Sequence, residues 1–190
     1  MAHLVPVVNM IGIPKDVKDA LSRLDVVSGM HVIQFGAQRR GHVAHAIAQK
    51  VGEKGRVTIV DVIPEELHAM HTFFASQKMH WVDVVRGDFV KKDGVPMPAH
   101  SVDRIVVVHT AWRHPRHEDV LAEARRLLKP GGKILFLDWQ KNTRDPLGSR
   151  VNGHLDVLEA QRLCIQSGCE RVERILNNER HWGFVMSFSE

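Results

Sequence analysis

Two kinds of apolar pattern alternate along most of the chain. Short runs of β-branched and apolar residues have the length and composition of strands, whereas longer segments with apolar residues every three or four positions are typical of amphipathic helices. The predicted strands are 31–35, 56–60, 82–86, 103–108, 133–137, 170–176 and 181–188. The predicted helices are 14–24, 41–50, a segment from Pro64, 118–128 and a segment after Asp156.

This order of elements predicts the architecture. Strands that alternate with helices indicate an α/β fold, in which a mainly parallel sheet is covered by helices on both faces. The last two strands have no helix between them, so we expect them to form an antiparallel hairpin. No repeat, low-complexity stretch or linker interrupts the chain. We therefore expect one domain over 1–190, with a helical segment at 1–28 and the sheet-forming core at 29–190.

Local signals set several element boundaries. Pro64 is suited to the first turn of a helix, because its missing N–H has no partner there in any case. Lys129-Pro130-Gly131-Gly132 is expected to stop the helix before it. Asp156 and Glu159 have the spacing of a capping box, and Gly168 is a natural end for the helix that follows.

Composition narrows the setting of the protein. Of the 190 residues, 44% are hydrophobic and 25% are charged, as in ordinary globular proteins. No long uncharged apolar run predicts a membrane span, and residues 1–10 lack the basic region and cleavage site of a signal peptide. Only two cysteines, Cys164 and Cys169, occur. We expect them to be reduced thiols and expect the protein to be cytoplasmic.

The charge pattern bears on the choice of partner. The formal net charge is +4 and the sequence pI is about 9.3, but the basic residues are spread along the chain and matched by acids. No interleaving of basic and aromatic residues predicts a nucleic-acid surface. A small-molecule partner is favoured over nucleic acid, and the sequence does not indicate an oligomeric state.

Two acidic residues follow predicted strands. Ligands of open α/β sheets bind beyond the carboxyl ends of the strands, which is where Asp61 and Asp88 are predicted. Asp61 can accept hydrogen bonds from a ribose diol, or it can support the turn that follows it. Asp88 can accept from the exocyclic amine of adenine, with Phe89 beside the ring, or the Gly87–Phe89 segment can be a simple turn.

The ordered set of motifs resembles the class I S-adenosylmethionine-dependent methyltransferases. The motifs are FG at 35–36, VDV at 60–62, RGDF at 86–89, VDRIVVV at 102–108 and LLKPGGKILFLDW at 127–139. The Asp138-Trp139 pair, Pro146-Leu147-Gly148 and the segment HWGFV at 181–185 are similar to small bacterial and archaeal members related to the ubiquinone/menaquinone C-methyltransferases. The resemblance covers nearly the whole chain and implies a Rossmann-like fold.

The same resemblance implies a cofactor and a set of residues that bind it. The cofactor would be S-adenosylmethionine. The implied residues are Gly36, Ala37, Gln38, Gly41, Asp61, Val62, Asp88, Phe89 and His109. The family does not imply one catalytic residue, because methyl transfer from a sulfonium depends mainly on positioning. A base is needed only where the acceptor loses a proton.

The first loop departs from the family pattern. An acid followed by three spaced glycines is usual after the first strand, but this chain has Gln34 and only two of the glycines, Gly36 and Gly41. Gln38, Arg39 and Arg40 stand between them. These side chains can point to solvent, fill the cofactor site, or attract a phosphate or carboxylate near the helix N-terminus. The arginines can also be ordinary surface residues.

The segment after the fourth predicted strand is rich in histidine. His109 and Trp112 are candidates for the pocket wall, and Asp138 can face the pocket or cap a turn. The spacing of His109, His114 and His117 also permits a metal site. We predict no metal there, because His117 is expected to begin a helix and no carboxylate or cysteine pattern accompanies it.

The sequence is therefore consistent with two functions. One is a methyltransferase that acts on an unidentified small molecule, supported by Asp61, Asp88 and the order of the motifs. The other is a non-catalytic binding or scaffold protein of the same fold that has lost the cofactor through its altered loop. The fold alone does not decide between them.

Overall fold

The computed structural model describes residues 14–37, 41–110, 116–141, 143–144, 150–151 and 155–188. The strands are β1 (His31–Phe35), β2 (Arg56–Asp61), β3 (Val82–Arg86), β4 (Val102–Val108), β5 (Leu128–Trp139), β6 (Thr143–Arg144), β7 (Arg150–Val151), β8 (Cys169–Asn177) and β9 (His181–Phe188). The helices are α1 (Lys15–Ser22), α2 (His42–Val51), α3 (Pro64–Ser76), α4 (His117–Leu127) and α5 (Val157–Gln166).

Seven of these strands form one sheet. Its order is β3-β2-β1-β4-β5-β9-β8, and β6 and β7 form a separate two-stranded sheet. Neighbours from β3 to β5 are parallel, whereas β9 is antiparallel to both β5 and β8. The predicted mostly parallel seven-stranded sheet with a C-terminal antiparallel hairpin is confirmed. The strand order reverses between β1 and β4, so the crevice expected to bind a ligand opens at their carboxyl ends.

The sheet is covered by apolar residues on both faces. One face packs against α4 and α5, and the other packs against α1, α2 and α3. Ile105 to Val108 of β4 are all buried, because successive side chains of a central strand point into opposite layers. Burial on both faces explains why this strand is a continuous apolar run in the sequence.

The local signals act largely as predicted. Pro64 occupies the first turn of α3. Asp156 and Glu159 form the capping box of α5, in which Asp156 accepts from the Glu159 N–H at 2.9 Å and Glu159 accepts from the Asp156 N–H at 2.8 Å. Gly168 follows α5 with φ of +83°, a conformation that glycine adopts without strain.

The start of β5 differs from the prediction of a strand that begins at Lys133. Helix α4 ends at Leu127 and β5 begins at once, with Leu128 paired to Val102. The pairing register then shifts before Arg104 pairs with Lys133. Gly131, at φ of +72°, lies inside this irregular stretch. The Pro-Gly segment that stops the helix is thus also part of the sheet.

Two further expectations concern the cysteines and membrane-spanning segments. Cys164 and Cys169 are free and buried, and the Cys169 Sγ lies 3.3 Å from the Met186 Sδ. Within the ranges that the structure describes, none of the helices has the length and apolar character needed to cross a membrane.

Candidate functional site

The backbone turns sharply where β1 ends. Gly36 has φ of +88° and donates its N–H to the Val60 carbonyl oxygen at 2.8 Å. A Cβ at this position would lie only 2.4 Å from the Thr110 Oγ1. Thr110 in turn is within hydrogen-bond distance of the Phe35 and Val108 carbonyl oxygens, at 3.1 and 2.9 Å. The absence of a side chain at Gly36 therefore lets the ends of β1 and β4 approach closely.

We expect Gly36→Ala to lower the free energy of unfolding by about 3 kcal/mol, because the positive φ and the clash with Thr110 act together. Gly131→Ala is the matched control: its φ is also positive, but a Cβ there would meet nothing within 4 Å. That control should cost about 1 kcal/mol. Urea unfolding measures both. In a Thr110→Ala background the Gly36→Ala penalty should shrink, and equal penalties for the two glycine variants would contradict the close approach.

The other retained glycine begins helix α2. Gly41 is the N-cap in the left-handed conformation, with φ of +59°. A Cβ there would lie 3.1 Å from the Phe73 Cδ1 and 3.3 Å from the Met70 Sδ. The predicted loop residues 38–40 between the two glycines, Gln38 included, lie outside the described residues, so their hypothesised roles stay predictions.

Asp61 connects two loops of the site through hydrogen bonds. Its Oδ2 accepts from the Ala37 N–H at 2.7 Å, and its Oδ1 accepts from the N–H groups of Val62 and Ile63 at 2.7 and 3.0 Å. The residue is 8% exposed. A carboxylate offers about four acceptor positions, so at most about one remains for a ligand in this arrangement. The predicted turn-supporting role is present, and it occupies most of the group expected to meet a ribose.

Gln34 lies beneath the same loop. The side chain is 1% exposed, and its Nε2 donates to the Gly36 carbonyl oxygen at 2.7 Å. Its Oε1 is buried and has no hydrogen-bond partner among the residues that the structure describes. A buried acceptor without a partner costs about 1–3 kcal/mol. This oxygen stands at the position where the family usually has an acid.

The loop after β2 also presents an apolar surface. Val62 and Ile63 are 39% and 38% exposed, although both are large hydrophobic residues. They directly follow Asp61, so an apolar surface and a carboxylate lie side by side at the carboxyl end of β2. Such a surface can contact a ligand that has both an apolar face and hydroxyl groups.

The loop after β3 forms a turn. The Asp88 Oδ1 accepts from the Val90 N–H at 3.2 Å, and the Asp88 N–H donates to the Gly94 carbonyl oxygen at 2.9 Å. The Phe89 ring stacks on the Phe35 ring, with centroids 4.9 Å apart, and the residue is 4% exposed. Phe89 therefore contributes mainly to the core beneath the loop, and Asp88 is the more accessible of the two.

Three rings meet at the carboxyl ends of β4 and β5. We call His109, Trp139 and His181 the ring cluster: the His109 centroid lies 4.3 Å from that of Trp139 and 4.7 Å from that of His181, and Trp139 and His181 are 4.3 Å apart. His181 Nδ1 is also 2.6 Å from the Asp16 Oδ2 of helix α1. The cluster thus connects α1 to the crevice at the edge of the sheet.

The electrostatics of the ring cluster follow from its burial. Burial and, to a smaller extent, the nearby His181 together lower the pKa of His109 to about 3, although Asp16 opposes the shift. Burial also lowers the pKa of His181, although Asp16 opposes this and Arg180 adds to it. Both imidazoles are therefore neutral at neutral pH.

Other candidates from the sequence fall elsewhere. His117 begins α4, as predicted, and its ring meets the Phe136 ring edge to face at 6.4 Å. Asp138 is 2% exposed and accepts from the Trp139 N–H at 2.8 Å. Trp112, His114 and the segment 146–148 lie outside the described residues. Within the described ranges no group of three or more potential ligands could hold a metal ion.

The sequence analysis identified neither Asp16 as a partner of His181 nor Thr110 as the residue that packs against Gly36. His181 was noted only as part of the C-terminal motif. Asp16 and His181 are 165 positions apart in the chain, so no spacing rule connects them.

A 570 Å³ groove, lined by residues including Lys54, Arg56 and Trp81, lies at the opposite edge of the sheet, at the amino ends of β1 and β2. This groove is separate from the loops at the carboxyl ends of the strands described above.

Comparisons with known proteins identify the family. A model described as a methyltransferase domain matches residues 33–136, which is more than half of the chain. The C-methyltransferase UbiE of ubiquinone/menaquinone biosynthesis from Bordetella avium is 30% identical over 122 residues, covering 64% of this chain and 45% of that protein. The protein belongs to the class I S-adenosylmethionine-dependent methyltransferase family. The chain spans about half the length of the curated relatives it matches.

Solved structures show the same fold. A SAM-dependent methyltransferase from Aquifex aeolicus has a TM-score of 0.78 and 24% sequence identity, with 90% of this chain and 88% of that chain covered. The (4+2)-cyclase SpnF has a TM-score of 0.73 and 13% identity, with 92% of this chain and 81% of that chain covered. Because one of these structures is named for a different reaction, the fold does not fix the chemistry.

Proposed function

We propose that the protein binds S-adenosylmethionine at the carboxyl ends of β1 and β2 and transfers its methyl group to a small molecule. The observation that carries the proposal is the buried Gln34 Oε1, which has no partner among the described residues and lies below the Gly36 turn. An ammonium group is a suitable donor to such an oxygen. Family membership supports the cofactor, whereas the acceptor is not indicated.

The first loop would hold the amino-acid part of the cofactor. Gly36, Ala37, Gln38 and Gly41 belong to this loop, and Gly36 leaves space that a side chain would fill. In this proposal the backbone approaches the ligand directly. Gln34 supplies the acceptor from below, without the ionic attraction that an acid would add.

The next two loops would hold the nucleoside. Asp61 offers its remaining acceptor position to a ribose hydroxyl, and Val62 packs its exposed side chain against the adenine ring. Asp88 accepts from the exocyclic amine of adenine, while Phe89 supports the loop from the core. His109 lies after β4, between these loops and the other two rings of the ring cluster, and forms the wall nearest the reacting atoms.

The chemistry divides between the ligand and the protein. The bound sulfonium supplies an electrophilic methyl group. The protein's own residues bind and orient the reactants, exclude water, and accept a proton where the methyl acceptor has one to lose. No metal ligand set is needed for this reaction.

Calorimetric titration of the full chain with S-adenosylmethionine and S-adenosylhomocysteine tests the proposal. We expect saturable heat and an increase in melting temperature with both ligands. No heat and no thermal stabilisation at millimolar ligand would contradict it. That result would favour the non-catalytic alternative, in which the three backbone bonds of Asp61 have a structural role only.

Substitution of Gln34 tests whether its buried Oε1 accepts a hydrogen bond from the ligand. Gln34→Glu should tighten S-adenosylmethionine binding about tenfold, because a charged hydrogen bond replaces a neutral one. The same variant should unfold more easily without ligand, since the new oxygen faces the Gly36 carbonyl in a buried site. Gln34→Met, similar in size but without an acceptor, should weaken binding about tenfold. Equal affinities for all three forms would show that Gln34 does not contact the ligand.

A further inference from the structure

The Asp16–His181 pair defines the protonation state of a buried imidazole. His181 Nδ1 lies 2.6 Å from the Asp16 Oδ2, and Asp16 lies in the first turn of α1. A carboxylate only accepts hydrogen bonds, so the proton of the neutral ring is on Nδ1. His181 Nε2 therefore carries an unshared electron pair.

That second nitrogen has no hydrogen-bond partner among the described residues. His181 is 4% exposed and its Nε2 is buried. A buried polar atom without a hydrogen-bond partner is unfavourable in a folded protein. Such atoms often have a catalytic role or bind a group from outside the chain. The atom therefore points to a ligand that donates a hydrogen bond.

The position of His181 indicates which ligand this is. His181 pairs in register with Trp139 at the end of β5, and its ring contacts that of His109, which follows β4. The proposed cofactor residues lie on the other side of His109, in the loops after β1, β2 and β3. His181 is thus on the side of the crevice left for the methyl acceptor.

We propose that His181 is the general base of the reaction, that Asp16 orients it, and that the acceptor is a molecule with a proton to lose at the methylated atom. This inference rests on the proposed methyl transfer. The acceptor atom forms a bond to the methyl carbon while the carbon–sulfur bond breaks, and the electron pair of that bond goes to sulfur. The proton of the acceptor atom moves to His181 Nε2.

Charge is conserved within the site during this step. The positive charge of the sulfonium disappears as an imidazolium forms on His181, and the Asp16 carboxylate at 2.6 Å stabilises that imidazolium. The groups that face His181 are Asp16 from α1, His109 after β4 and Arg180 before β9. Burial keeps the pKa of His181 low, so its Nε2 can accept a proton at neutral pH.

Nitrogen-15 NMR of the histidine side chains of the full chain tests the inference without a turnover assay. Phenol is the probe, because its hydroxyl has a proton to lose, and anisole is the matched probe without that proton. His181→Gln assigns the resonances. We expect the wild type to hold its proton on Nδ1, and phenol, but not anisole, to shift the Nε2 resonance saturably in the presence of S-adenosylhomocysteine. In Asp16→Asn the shift should be at least halved.

A proton on Nε2 in the wild type, or the same response to phenol and anisole, would overturn the inference. A merely structural pair would keep the Nδ1 proton but show no selective response to phenol, which also overturns it. Calorimetry with S-adenosylhomocysteine on the same sample separates this failure from failure of the proposed function. Because the decisive spectra are those of the wild type, the inference is tested even if Asp16→Asn fails to fold.

Discussion

Asp61→Ala is expected to abolish binding of S-adenosylmethionine, with a loss of at least about 100-fold in affinity, and to lower the free energy of unfolding by about 3 kcal/mol. The physical reason is that one carboxylate accepts from three backbone N–H groups, those of Ala37, Val62 and Ile63. Alanine removes all three acceptors at once. The loop after β1 then loses its connection to the loop after β2.

Asp61→Asn separates the contribution of the Ala37 hydrogen bond from that of the Val62 and Ile63 hydrogen bonds. Its single amide oxygen can still accept from Val62 and Ile63, but its NH₂ group would face the Ala37 N–H, so we expect an intermediate loss of stability. Asp88→Ala is the control for stability, because among the described residues the Asp88 carboxylate accepts a single hydrogen bond, at 3.2 Å from the Val90 N–H. It should cost less than about 1 kcal/mol. Urea unfolding and calorimetry, the latter at a temperature where each variant is folded, measure the two effects. Unchanged stability of Asp61→Ala would show that its backbone bonds contribute nothing.

Acid should destabilise the protein through His109 well above the pH range in which carboxylates titrate. Its pKa is lowered from 6.5 to about 3 in the folded state, so folding favours the neutral ring. The resulting stability is fully present above pH 6.5 and is lost as pH falls toward about 3. From pH 7.5 to 5.0 the loss attributable to His109 is about 2 kcal/mol. His181, whose pKa is also lowered, adds a loss in the same direction.

His109→Phe should remove most of this pH dependence while it keeps a ring in the cluster. Trp139→Phe is the matched control, because it changes the same cluster without removing a titratable group. The control should lose a similar amount of stability at both pH values. Urea unfolding at pH 7.5 and 5.0 measures the difference. If the free energy of unfolding of His109→Phe falls between pH 7.5 and 5.0 as much as that of the wild type, protonation of His109 is not the cause of the acid destabilisation.

Local signals in the sequence account for most of the fold. The strand 31–35 and the capping box at Asp156 were predicted as they occur, because both depend on residues adjacent in the chain. The start of β5 was not, since it depends on the pairing of Leu128 with Val102. The sequence left open whether Phe89 lies beside adenine or in a simple turn; its stacking on Phe35 depends on how β1 and the loop after β3 pack.

The sequence by itself determined the α/β order, the family and the unusual first loop, because periodicity, caps and ordered motifs are local properties of the chain. The tertiary structure alone decided that Asp61 also accepts from the Ala37 N–H of the neighbouring loop, that Gly36 lies against Thr110, and that Asp16 meets His181. Each of these contacts joins residues from different elements. Their distances depend on the twist and packing of the whole sheet, which no local pattern records.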